Sequence, residues 1–159
     1  MDAPYNAQSS LMTTIRTFMT DDHRHCDDLL AEAEQAMAKG NLEAGKAAFG
    51  HFATALLAHF AAEEKTLFPS FEVKTGMSMG PTRVMRLEHE QMRSLLADAQ
   101  AALAAGDGDD YIGCAETLLI MMQQHNLKEE NMLYPMCDEH LAAECSELLQ
   151  HLEAELAEA

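Results

Sequence analysis

The sequence predicts an all-α fold: a four-helix bundle made of two helix-hairpin repeats, with an additional C-terminal helix. Three observations point that way. The 159 residues are 48% hydrophobic, enough to fill one core of ordinary size. Only four prolines and eight glycines interrupt the chain, and Ala, Leu, Met, Glu and Gln, all good helix formers, supply much of the rest. Finally, the segment His59-Phe-Ala-Ala-Glu63-Glu-Lys-Thr-Leu-Phe-Pro69 returns 66 residues later as His125-Asn-Leu-Lys-Glu129-Glu-Asn-Met-Leu-Tyr-Pro135. The same shift lays Asp22-His23 on Glu88-His89, Leu29-Leu30 on Leu95-Leu96, and the break Lys39-Gly40-Asn41 on Ala105-Gly106-Asp107. Each half therefore reads as an antiparallel helix pair.

Punctuation sets the elements. The first helix ends at Gly40, the second runs from about Leu42 to the neighbourhood of Pro69, Gly80-Pro81 opens the third, and the fourth runs from about Asp109 to Pro135. Residues 70–80 form a longer connection between the halves. The whole chain, 1–159, reads as one domain, with the bundle over about 11–137 and the last helix over about 138–157. That last segment carries an apolar stripe of Leu141, Cys145, Leu148, Leu149, Leu152 and Leu156. The stripe needs a surface to bury, either its own bundle or a second copy in a homodimer.

A formal charge of -17 repels phosphate backbones and anionic headgroups, which argues against nucleic acid and membrane partners. The first six residues lack the basic and apolar parts of a signal peptide, and no apolar run is long enough to cross a bilayer, so a soluble cytoplasmic protein is expected. Cys26, Cys114, Cys137 and Cys145 form no Cys-x-x-Cys pair and read as free thiols in a reducing compartment.

The chemistry sits in the repeat. His59 and Glu63, like His125 and Glu129, stand four apart, which on a helix places them about 40° apart on adjacent turns. Phe52, Leu56 and Leu67 on one helix, and Leu118, Met122 and Met132 on the other, fall on or near the same face, so these polar groups point into the core. A buried carboxylate is costly without compensation, and no Arg or Lys stands at helical spacing to offset two of them. A dication does offset them. His23 and His89, each 36 residues ahead of its His-x-x-x-Glu pair, complete a set of four imidazoles and two carboxylates: His23, His59, Glu63, His89, His125 and Glu129. With no thiolate present this set favours iron or manganese, with zinc expected as a contaminant of purified protein. His25 and His51 match Gln91 and Thr117 in the other half and read as surface groups or supports. Glu64 and Glu130 lie about 100° round the helix from the ligand glutamates and read as solvated or as supports to the ligands. His140 and His151 fall beyond the bundle.

Together Asp22-His23-Arg24, His59-x-x-x-Glu63-Glu-x-x-Leu-Phe-Pro, Glu88-His89 and His125-x-x-x-Glu129-Glu-x-x-Leu-Tyr-Pro resemble the hemerythrin-like, or HHE cation-binding, family. The resemblance implies an up-down-up-down bundle whose matching His and Glu residues hold two iron ions bridged by the carboxylates and an oxo or hydroxo ligand. Oxygen-carrying members have a second His four residues after the third-helix His, where this chain has Arg93. They typically place the last carboxylate five residues after its His, where this chain has Glu130 and offers Glu129 at four. The ligand set is nearer to that of the repair-of-iron-centres proteins, whose additional paired-cysteine domain is not found here. The resemblance implies an open position on each iron and small ligands such as O2, NO or peroxide, with an unidentified redox partner. Three roles stay open: an enzyme handling reactive gases or peroxide, a reversible O2- or NO-binding or sensing module, and an iron buffer without turnover. Met19, Cys26, Met85, Met92, Met121 and Met122 are candidates to line an apolar pocket or simply to fill the core. Cys26 is a candidate for oxidation by peroxide made at the centre, and Arg93 either meets a surface carboxylate or guards the pocket mouth.

Overall fold

The computed structural model describes residues 13–157; the expected bundle start at residue 11 and the N-terminal stretch 1–6 lie outside them. Those residues form α1 (Ile15–Ala38), α2 (Leu42–Ala62), a π-helical turn (Glu63–Leu67), α3 (Phe68–Thr75), α4 (Pro81–Ala105) and α5 (Gly108–Lys128). A second π-helical turn (Glu129–Leu133), α6 (Tyr134–His140), a 3-10 turn (Ala142–Glu144) and α7 (Cys145–Ala157) follow. No strand occurs among the described residues. Helix α1 packs along α2 and α4 along α5, the two hairpins read from the repeat. Both hairpins turn on a glycine at positive φ, Gly40 at 76° and Gly106 at 72°, a conformation that a Cβ disfavours. The next residue in each copy then caps the following helix: Asn41 accepts from the Ala44 N–H at 3.2 Å and Asp107 from the Asp110 N–H at 3.0 Å.

The structure corrects the sequence reading at the prolines. Neither Pro69 nor Pro135 ends its helix; the rods continue to Thr75 and His140. In the π turns the Phe68 and Tyr134 N–H groups reach back five residues, to the carbonyls of Glu63 and Glu129. The ladder returns to four-residue spacing at the proline, the residue with no N–H to place. Arg86 donates to the carbonyl of Glu64 at 3.5 Å. The connection between the halves therefore shrinks to residues 76–80. Met132, placed near the inner face by simple periodicity, is exposed, and Leu133 beside it is buried.

The core is divided in two. One apolar cluster holds Leu30, Phe49, Phe52, Leu56, Met92, Leu96, Tyr111 and Leu118 among others; the second holds Ile15, Met19, Leu67, Phe68, Phe71, Met85, Leu133 and Tyr134. The methionines considered for a pocket are distributed over both clusters as packing, with Met121 only partly buried. Helix α7 docks on its own bundle, with Leu148 and Leu152 buried in the second cluster and Thr66 donating to Glu155 at 2.5 Å. At the same end Asp138 accepts from the Ile15 and Arg16 N–H groups at 2.7 and 3.2 Å, so the last bundle helix caps the first. No helix of the described residues is long and apolar enough to cross a membrane.

Leu152 is fully buried, so Leu152→Ala should lower unfolding free energy by about 2–5 kcal/mol, measured by urea denaturation. Val73→Ala, on an 87% exposed side chain, should change it by less than about 0.5 kcal/mol. Equal effects would show that α7 does not dock as described.

Candidate metal centre

Between the two clusters lies a polar layer of His23, His59, Glu63, His89, His125 and Glu129, all buried. Each bundle rod contributes: His23 comes from α1, His59 and Glu63 from α2 and its π turn, His89 from α4, and His125 and Glu129 from α5 and its π turn. The imidazoles fall into two pairs, His23 with His59 at 4.6 Å between ring centroids and His89 with His125 at 4.9 Å. Each carboxylate lies between the pairs. Glu63 Oε1 is 3.1 Å from His89 Nε2 and 3.4 Å from His59 Nε2; Glu129 Oε1 is 3.1 Å from both His23 Nε2 and His125 Nε2.

The outer ring nitrogens settle what the inner ones do. His59 Nδ1 meets Asp22 at 2.7 Å and His125 Nδ1 meets Glu88 at 2.9 Å. His23 Nδ1 meets Glu130 at 2.7 Å and His89 Nδ1 meets Glu64 at 2.6 Å. A carboxylate only accepts, so each Nδ1 carries the hydrogen and each Nε2 turns its lone pair inward. Two carboxylate oxygens and two imidazole nitrogens there, Glu63 Oε1, Glu129 Oε2, His89 Nε2 and His125 Nε2, are buried without a hydrogen-bond partner. Lone pairs facing one another at 3.1 Å repel unless a cation lies between them. Glu63, His89, His125 and Glu129 offer donor atoms all within 4.8 Å of one another, and His23, His59 and Glu129 form a second such set. The residues present therefore fit two adjacent metal positions that share a carboxylate.

Sequence reasoning named the six candidate ligands and offered Glu64 and Glu130 as possible supports, but missed Asp22 and Glu88. Asp22 and Glu88 stand at equal places in the repeat, as do Glu64 and Glu130; an acid recurring directly before the first His and directly after the ligand Glu was the available signal. Arg93 meets a surface carboxylate, Glu90, at 2.5 Å, as one of its two expected roles has it, and takes on a further one. It forks onto Glu64 at 2.9 and 3.0 Å and lies over the Phe60 ring, so it steadies the acid that orients His89. Burial raises the Glu64 carboxyl, but hydrogen bonds from His89 and Arg93 outweigh it and hold it at about 2. His25 and His51 are exposed and line a surface cavity of about 380 Å³ with Asp22, away from the ligand atoms. Burial, then Asp22 and Asp27, raise the Cys26 thiol far above its usual range, which keeps it from the reactive thiolate form.

Tyr134 was not expected in the centre. The π turn brings its phenol oxygen to 2.8 Å from Glu63 Oε2, 3.1 Å from Glu129 Oε1, 3.1 Å from His23 Nε2 and 3.4 Å from His59 Nε2. The matching residue, Phe68, stacks on the His89 ring with centroids 5.7 Å apart. Phe60, whose counterpart is Asn126, also stacks on the His89 ring, at 4.1 Å.

Without a cation, protons are the remaining compensation. Burial opposes charge on His59, but Glu63, Asp22 and Glu129 outweigh it and raise the imidazole to about 9; His125 rises to about 9 through Glu129, Glu63 and Glu88. Burial and the Glu129 charge push Glu63 up. Burial also acts on Glu129, yet His125 and the surrounding hydrogen bonds hold it well below its usual value. Raised imidazoles stabilise the metal-free fold fully below their unfolded value of 6.5 and lose that contribution as pH rises through about 9. Metal-free protein should therefore lose stability between these values, while metal binding tightens over the same range because it displaces protons. Denaturation of both forms across that range checks this; rising stability of the metal-free protein would contradict it.

Removing a ligand should abolish most metal uptake in His59→Ala and Glu129→Ala, measured by metal analysis against purified wild type. Asp22→Asn and Glu64→Gln should weaken affinity by about 10–100-fold, and His25→Ala and His51→Ala should leave it unchanged.

The Hemerythrin HHE cation binding domain model matches residues 14–137, the span from the cap of α1 into α6. No curated protein and no solved structure matches. With every ligand position of the site inside the matched span, the chain belongs to the hemerythrin HHE cation-binding domain family.

Proposed function

We propose that the chain is a non-haem di-iron protein that binds or reacts with small diatomic or peroxide ligands such as O2, NO or H2O2. The observation that carries this reading is the pair of imidazole pairs flanking two buried carboxylates, with four inward-facing donor atoms that lack a hydrogen-bond partner. Four imidazoles, two carboxylates and no thiolate suit iron or manganese, and zinc in purified protein. Two iron ions, when bound, supply electrons and an open coordination position to a small ligand.

The chain's own residues set the conditions. Asp22, Glu64, Glu88 and Glu130 hold the four imidazoles in one tautomer and orientation. Phe60 and Phe68 stack on the His89 ring and surround it with hydrocarbon, which suits an uncharged ligand over a hydrated anion. Arg93 contributes no donor to the centre, since its guanidinium is engaged by Glu64 and Glu90. That leaves four histidines in place of the five of an oxygen carrier and favours reactive ligands over simple oxygen carriage.

Stopped-flow absorbance of anaerobically reduced, iron-loaded protein mixed with O2, NO or H2O2 tests the reading, with an optical change expected on mixing. Catalytic consumption identifies an enzyme and a reversible adduct identifies a binding module. Full iron loading with no optical response to any of the three would sink the proposal and leave an iron buffer.

A further inference from the structure

We infer that Tyr134 is itself a metal ligand, which makes the two positions of the centre unequal and leaves the place for an external ligand at the His89–His125 position alone. The inference rests on the two-metal reading above. In an octahedral site each corner has four neighbouring corners, and with metal–donor bonds of about 2.1 Å those neighbours stand about 3 Å away. Tyr134 Oη has four donor neighbours, His23 Nε2, His59 Nε2, Glu63 Oε2 and Glu129 Oε1, at 3.1, 3.4, 2.8 and 3.1 Å. It therefore stands where a corner of the His23–His59 site would be. A buried phenol serving only as a hydrogen-bond donor needs one acceptor; here two carboxylates and two imidazole lone pairs converge on it.

The repeat supplies an internal control. At the equivalent place in the other half the residue is Phe68, which offers a ring and no donor atom, and Phe60 covers the same imidazole. The corner filled by oxygen at one position is thus bordered by hydrocarbon at the other. When Tyr134 coordinates, its O–H bond breaks, the metal–oxygen bond forms and the proton leaves to water, as for other protonated ligands.

The test uses full-length protein loaded with ferrous iron and oxidised with ferricyanide. Wild type should show a visible phenolate-to-iron(III) charge-transfer band with tyrosinate ring modes in resonance Raman. Tyr134→Phe, which copies the residue of the other half, should keep its iron content and helical circular dichroism, lose both signals, and take up azide at two positions where wild type takes it up at one. Wild-type protein that binds two irons without tyrosinate modes would overturn the inference while leaving the two-metal reading intact. Protein that binds no iron would remove both. The wild-type spectrum decides the matter even if the variant does not fold.

Discussion

Two glutamates held among four imidazoles and away from water are the constraint on which the rest of the chain depends. An isolated buried carboxylate costs several kcal/mol, and breaking a buried pair costs about as much. The printed partners of both glutamates are imidazoles and the Tyr134 phenol, and Arg93 is engaged by Glu64 and Glu90, so the compensation comes from within the layer, as protons or as metal. Every rod of the bundle supplies at least one side chain to that layer, so the same demand for compensation sets the register of all four. The two apolar clusters then pack against its two sides and exclude water from it.

The cluster of six buried donors was legible because it is periodic twice over, once at the four-residue spacing of a helix and once at the shift of the repeat. His25 and His51 show the value of the second period: they have no counterpart at the shift, and both are exposed. Helix ends were legible where glycine turns the chain, at Gly40 and Gly106. They were misread at Pro69 and Pro135, where proline normally signals a break, because a π turn placed just upstream absorbs the missing donor. That same turn displaced the inward position from Met132 to Leu133. The roles of Asp22, Glu64, Glu88 and Glu130 depend on partners on other helices, and spacing along one helix carries no information about those.

The repeat also shows where the two halves have parted. Candidate donors, supporting acids, caps and π turns are duplicated, which places two neighbouring sets of donor atoms in one scaffold. Differences run along both halves, and two of them lie beside the donors: Phe60 against Asn126, and Phe68 against Tyr134. A duplicated scaffold carrying two unequal linings gives its two sets of donor atoms different surroundings, which a pair of identical halves cannot do.

The four supporting carboxylates have a further consequence. Their side chains are between 15% and 25% exposed while the imidazoles they hold are at most 5% exposed, so they form the boundary between dry interior and solvent at four separate points. An interior that gains or loses an electron changes its charge, and in a low-dielectric medium such a change is opposed unless a proton moves with it. Here each imidazole hydrogen is already one hydrogen bond from a group that touches water. The bundle can exchange protons with its surroundings through side chains alone, without parting its helices.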